Sequence, residues 1–133
     1  MNIIKEQNFS VSEPLKLKSG KVLKEYNIVY ETYGQLNKNK SNAVLICHAL
    51  SGNHHVAGYH EHEEKPGWWD NMIGSGKPIN TDKLFVVCLN NLGGCHGSSG
   101  PTSINNDTGD SYGFDFPIVT VQDWVNSQKK LME

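Results

Sequence analysis

There is no arginine in this chain. All 12 basic residues are lysine, set against 14 acidic ones for a formal net charge of -2. The charges are dispersed, so the basic stripe that grips nucleic-acid phosphates is missing and a nucleic-acid partner is not expected. Without a guanidinium, no carboxylate or phosphate can be held bidentately, although a lysine can still offer a point charge. Long apolar runs are missing too. None approaches the roughly 20 residues of a membrane span, and the opening Met1 to Asn8 is polar, unlike a secretory signal. Cysteine is scarce and odd in number, with three residues. Cys47 and Cys88 fall in strand-like runs and read as small buried hydrophobes, while Cys95 sits in a glycine-rich stretch. These absences predict a reduced, cytoplasmic protein that does not enter a membrane.

What is present suits one domain. A length of 133 residues with 37% hydrophobic and 20% charged residues has globular proportions. Leu15–Lys18 and Lys21–Lys24 alternate around Ser19-Gly20, predicting an antiparallel hairpin with a two-residue turn. Tyr26, Ile28, Tyr30 and Thr32 continue the period of two as a half-exposed strand. Ala43–Cys47 and Leu84–Leu89 are continuously apolar, the mark of parallel strands buried on both faces. The connection between them is long enough for a crossover, with a short helix expected over Trp68–Ile73. Asn90–Phe116 reads as a long loop. Thr120 opens a capping box with Asp123, and Val121, Trp124, Val125, Gln128 and Met132 form an apolar helical stripe.

Two glycine-rich loops follow the apolar strands: Cys47-His48-Ala49-Leu50-Ser51-Gly52, and Leu92-Gly93-Gly94-Cys95-His96-Gly97-Ser98-Ser99-Gly100-Pro101. In α/β enzymes such loops carry backbone donors. The second is no phosphate loop: its glycines miss the Gly-x-Gly-x-x-Gly register, and no Gly-Lys-Ser/Thr follows. Adjacent Cys95 and His96 seldom face each other as a nucleophile and base would. His54, His55, His60 and His62, interleaved with Glu61, Glu63 and Glu64, invite a metal. Their spacing departs from the helical His-Glu-x-x-His motif, so a solvated charged insertion with no metal is the expected reading. A non-catalytic His-rich metal or binding module remains the rival from another class. No carboxylate pair has a telling spacing for glycosidase chemistry.

With Gly67-Trp68-Trp69-Asp70 and Tyr112-Gly113-Phe114-Asp115-Phe116-Pro117, these loops make the chain resemble the N-terminal part of a homoserine O-acetyltransferase, from about Leu15 onward. The resemblance implies an α/β-hydrolase fold in which residues 1–133 are an incomplete domain, truncated before the nucleophile elbow. No Gly-x-Ser-x-Gly occurs, so the Ser…Asp…His triad is expected to lie outside this sequence. The reaction it implies is ping-pong transfer of an acetyl group from acetyl-CoA, a cosubstrate, to L-homoserine, with no bound cofactor. Homoserine O-succinyltransferase and serine O-acyltransferase are alternatives within the family. The resemblance assigns an oxyanion donor to the Leu50 backbone N–H and a substrate-pocket wall to Ser51, Gly52, Asn53 and His54. For the full-length family member it implies a homodimer, and for the isolated chain no activity.

Overall fold

The computed structural model describes residues 2–133; Met1, in the polar opening stretch, lies outside them. In chain order the elements are β1 (Gln7–Val11), β2 (Leu15–Lys16), β3 (Val22–Leu23), β4 (Tyr26–Tyr33), β5 (Ala43–Ile46), β6 (Ile73–Gly74), β7 (Ile79–Asn80), β8 (Phe85–Leu89), a 3₁₀ turn (Gly113–Asp115) and α1 (Val121–Met132). Four strands form one sheet in the order β1-β4-β8-β5. β8 is antiparallel to β4, with Tyr30 opposite Leu89 and Tyr33 opposite Val86. It is parallel to β5, with Ala43 opposite Phe85 and Ile46 opposite Cys88. The expected mixed sheet is therefore present.

Position in the sheet decides what each apolar run becomes. β8 lies between two strands, and Val86–Leu89 are buried. β5 ends the strand order, so Ala43 is exposed and Val44 and Leu45 are only half-buried. The expectation of burial on both faces fails for this strand. Cys47, just past it, is exposed, whereas Cys88 is buried and its thiol is pushed up to about 12, chiefly by loss of solvent.

Three local expectations need correction. β2 and β3 pair antiparallel, Leu15 with Leu23 and Lys16 with Val22, but the turn is longer than two residues. The Gly20 N–H donates to Leu17 O, and the Leu17 N–H donates to Lys21 O. With Gly20 at φ +88°, this is the three-residue loop in which a left-handed residue follows a tight turn. Trp68–Met72 forms hydrogen-bonded turns and no helix. The chain there is too short between Gly67 and the parallel β6–β7 pair to complete two helical turns. The third correction is α1. Its capping box is present, but much of the stripe faces outward: Val121, Val125 and Met132 are exposed and Trp124 and Gln128 only half-buried, while Asp123 and Ser127 are buried. Asp123 explains the reversal, because its carboxylate accepts the Thr120 N–H at 2.8 Å and the Lys18 N–H at 2.9 Å. Burial pushes its carboxyl up, yet these hydrogen bonds outweigh it and hold the group below the usual carboxylate range.

The chain divides into two compact units, with β4 contributing to both. One comprises residues 1–7 and 30–89. Its core joins Tyr33, Ile46, Val56, Ile73, Val86 and Cys88, with Trp69 and Met72 packed against them. The other comprises residues 8–29 and 90–133, and buries Val11, Leu17, Leu23, Tyr26, Ile28 and Leu92. Among the described residues no helix is long and apolar enough to cross a membrane.

Candidate active site

Past β5 the backbone leaves the sheet and turns sharply. The Gly52 N–H donates to Ala49 O at 2.8 Å, and His48 Nδ1 lies 2.6 Å from the same carbonyl. Leu50 stands at the tip with its side chain 91% exposed. Its N–H has no acceptor among the described residues. An unoccupied backbone donor at the tip of a turn is what an oxyanion site requires. Of the other predicted pocket residues, Ser51 is exposed and Gly52 and Asn53 are half-buried. His54 is 2% exposed, so it faces the interior of its unit.

That interior is the feature the sequence reading missed. The Glu31 side chain, from β4, has no exposed surface. Tyr33 Oη donates to its Oε2, and His55 Nδ1 lies 2.9 Å from the same oxygen. Oε1 lies 2.5 Å from His60 Nε2 and 3.7 Å from His54 Nε2. His54 Nε2 is closer still to Glu6, at 2.7 Å. The expected solvated insertion is thus only half right: His62 and Glu61 are exposed, whereas His54 and His55 are buried. The signal was a glutamate inside a Tyr- and Ile-rich strand. It was overlooked because the buried set changes phase, from Tyr26 and Ile28 to Val29, Glu31 and Tyr33.

The ring nitrogens divide the charge within the cluster. Both nitrogens of His60 face carboxylates, Nε2 toward Glu31 and Nδ1 toward Glu63 at 3.5 Å. Desolvation opposes its charge, but the contacts with Glu31 and Glu63 prevail and raise its pKa above the ordinary value. His54 instead has its pKa lowered, because desolvation outweighs Glu6 and Glu31. Its Nδ1 is buried without a partner, which suits a neutral ring. Burial, then the contact with Glu31, raises the Tyr33 hydroxyl, keeping it a donor.

Two sets of these side chains come close enough to share a cation, Glu6–Glu31–His54–His60 and His55–His60–Glu63. In the first, contacts of 2.5 Å and 2.7 Å are already hydrogen bonds. Ligands sharing one zinc at about 2.0 Å would sit roughly 3.3 Å apart. In this set the spacing is that of shared protons, whereas in the second His60 Nδ1 and Glu63 lie 3.5 Å apart.

The second glycine-rich loop is built differently. Gly93–Gly97 is exposed, but Ser98 is buried. Ser98 Oγ accepts the Val29 N–H at 2.9 Å and donates to Asn90 O at 2.5 Å. Ser99 Oγ accepts the Asn27 N–H at 2.8 Å. Gly97, at φ +100°, passes so close to Val29 that a Cβ would lie 2.7 Å from its methyl. The loop is a clasp on the first half of β4. Trp68 and Asp70 also serve structure. Trp68 Nε1 donates to Asn53 O at 3.0 Å, and Asp70 accepts from the Gly58 N–H and Lys77 Nζ at 2.8 and 2.9 Å.

No protein-family model matches the chain. It is 63% identical to the homoserine O-succinyltransferase of Pseudomonas aeruginosa, over all of this chain and 35% of that protein. It superimposes on the crystal structure of homoserine O-acetyltransferase from Bacillus anthracis with a TM-score of 0.92 at 40% identity, covering 99% of this chain and 37% of that one. The crystal structure of esterase E22 gives a TM-score of 0.90 at 42% identity, covering 98% and 37%. The chain spans about a third of the length of the relatives it matches. With the mixed sheet and its two strand-end loops in place, it has the N-terminal portion of an α/β-hydrolase fold and matches the N-terminal part of proteins named homoserine O-succinyltransferase and homoserine O-acetyltransferase.

Proposed function

We propose that this chain supplies the oxyanion side of an enzyme that transfers an acyl group from coenzyme A to the hydroxyl of L-homoserine. The observation that carries this reading is the exposed, unpartnered N–H of Leu50 at the end of a parallel strand. When a nucleophilic serine attacks the thioester carbonyl, the carbonyl oxygen becomes an oxyanion, and the Leu50 N–H would donate to it. Collapse expels the coenzyme A thiolate and leaves an acyl-serine. Attack by the homoserine oxygen rebuilds the oxyanion at the same donor, and collapse releases the ester. No Gly-x-Ser-x-Gly lies within the 133 residues, so the serine and its triad partners would come from sequence beyond them. Succinyl-CoA is the preferred donor in this reading. The 63% identical relative is named a succinyltransferase, against 40% for the protein named an acetyltransferase. Ser51, Gly52 and Asn53 would border the acyl and amino-acid groups, in a cytoplasmic homodimer without bound metal.

The test is a hybrid enzyme in which residues 1–133 replace the matching segment of the Pseudomonas aeruginosa relative. It should form O-succinyl-homoserine from succinyl-CoA and homoserine faster than it forms the acetyl ester. An inactive hybrid that is folded by circular dichroism would overturn the proposal. Hydrolysis of acyl-CoA without transfer to homoserine would favour the esterase-like chemistry named for the 42% identical structure.

A further inference from the structure

The reaction just proposed makes no use of Glu31, and packing alone does not explain it. A carboxylate with no exposed surface costs several kcal/mol of lost hydration unless it is fully partnered. An apolar residue would fill a strand position without that cost. What distinguishes Glu31 is what it holds. His54 and His55 are the first buried residues after the exposed Ala49–Ser51 segment, and both face this carboxylate, at 3.7 and 2.9 Å.

The turn therefore has two anchored ends. At one end Ile46 is paired to β8 in the parallel ladder. At the other, His55 is held by Glu31 through its ring, and its backbone N–H is taken by Asn53 Oδ1 at 2.9 Å. Between them Leu50 has almost no packing of its own, being 91% exposed. The Gly52 N–H and His48 Nδ1 hold the Ala49 carbonyl, and so the plane of the Leu50 amide, within the turn, while the two ends set where the turn as a whole stands.

We propose that Glu31 is a positioning residue: by clamping His55, with His54 beside it, at the far end of the turn, it fixes where the Leu50 N–H points. This rests on the acyl-transfer reading. An oxyanion donor must lie about 2.7–3.1 Å from the position the developing charge will occupy. A displacement of ~1 Å can lower turnover about 100-fold.

The test uses the same hybrid, with turnover counted per acyl-enzyme site from the burst, so that unfolded molecules drop out. Glu31→Gln keeps the size and removes the charge. It should lower kcat per site at least tenfold and change KM for homoserine less than twofold. His55→Asn keeps an N–H toward Glu31 and should stay within threefold of the parent. His55→Leu should fall as far as Glu31→Gln, and the double variant no further, because both break one clamp. Unchanged kcat per site in Glu31→Gln overturns the proposal. If Glu31→Gln gives no burst, equal turnover in His55→Asn and His55→Leu overturns it. So does failure of all three to form acyl-enzyme, which would make the group a folding determinant. An inactive parent hybrid fails the acyl-transfer reading itself, and this inference falls with it.

Discussion

Two loops leave the C-terminal ends of neighbouring strands in this molecule, and they are fastened by opposite chemistry. The turn after β5 is tied down by a buried carboxylate and three histidine rings. The loop after β8 is tied by two neutral serine hydroxyls that take backbone N–H groups of β4. Ionisable clamps are geometrically strict but answer to pH. Hydroxyl clamps are indifferent to it and adapt by rotating a single bond. The strict clamp sits beside the exposed donor and the indifferent one beside a structural loop. Aim matters at the first place, and adhesion is enough at the second.

Breaking the donor itself should give the largest contrast. Leu50→Pro deletes the N–H, and in the hybrid it should lower turnover by roughly 10²–10³. Leu50→Ala, which keeps the donor, should cost little. Steady-state kinetics with circular dichroism as a folding check decides the matter. Near-normal turnover from folded Leu50→Pro would return Leu50 to an ordinary turn residue.

Ser98→Ala attacks the other loop. It strands the Val29 N–H and the Asn90 carbonyl in a buried place, which should cost about 1–3 kcal/mol of stability in denaturant unfolding. Turnover per burst-titrated site should be unchanged. A loss of kcat per site with no loss of stability would blur the distinction between the loops.

A subtler contrast is in pH. The raised pKa of His60 means that the folded state holds its proton more tightly. That stabilisation is complete below the unfolded value of about 6.5 and is lost as pH rises through the folded one. The lowered pKa of His54 acts in reverse: its contribution is present above about 6.5 and fades as pH falls. His60→Gln should therefore destabilise the hybrid more at pH 5.5 than at pH 8.5, whereas the Ser98→Ala penalty should be the same at both. Thermal melts at the two values check this; equal His60→Gln penalties would remove the charge assignment.

The smallest expected effect is none. Elemental analysis of the hybrid after gel filtration in metal-free buffer should find far less than one equivalent of zinc. A stoichiometric metal lost on replacing His60 would turn the proton-sharing cluster into a metal centre.

The sheet could be read in the sequence because its signals are local. Apolar runs mark β5 and β8, a Ser-Gly turn marks the hairpin, and Thr120 with Asp123 marks the start of α1. The His48–Asn53 turn was legible by resemblance, since no residue spacing announces a backbone donor. The outward-facing stripe of α1 was not legible, because Asp123 is drawn inward by the Lys18 amide, 105 residues away in sequence. Glu31 was hidden for a similar reason. Its partners lie 24 and 29 residues downstream, and the alternation that buries Tyr26 and Ile28 breaks at Val29, leaving Tyr30 and Thr32 only half-buried. Long-range polar contacts leave no periodic trace.

The thiols give each loop its own handle. Cys47 lies immediately before the first turn and Cys95 at the tip of the second, both exposed, while Cys88 is buried with its pKa near 12. A maleimide dye at neutral pH should label the two exposed cysteines and spare the buried third. Once either exposed cysteine is replaced by serine, a fluorophore reports on one loop alone, so the rigid turn and the clasped loop can be watched separately in solution.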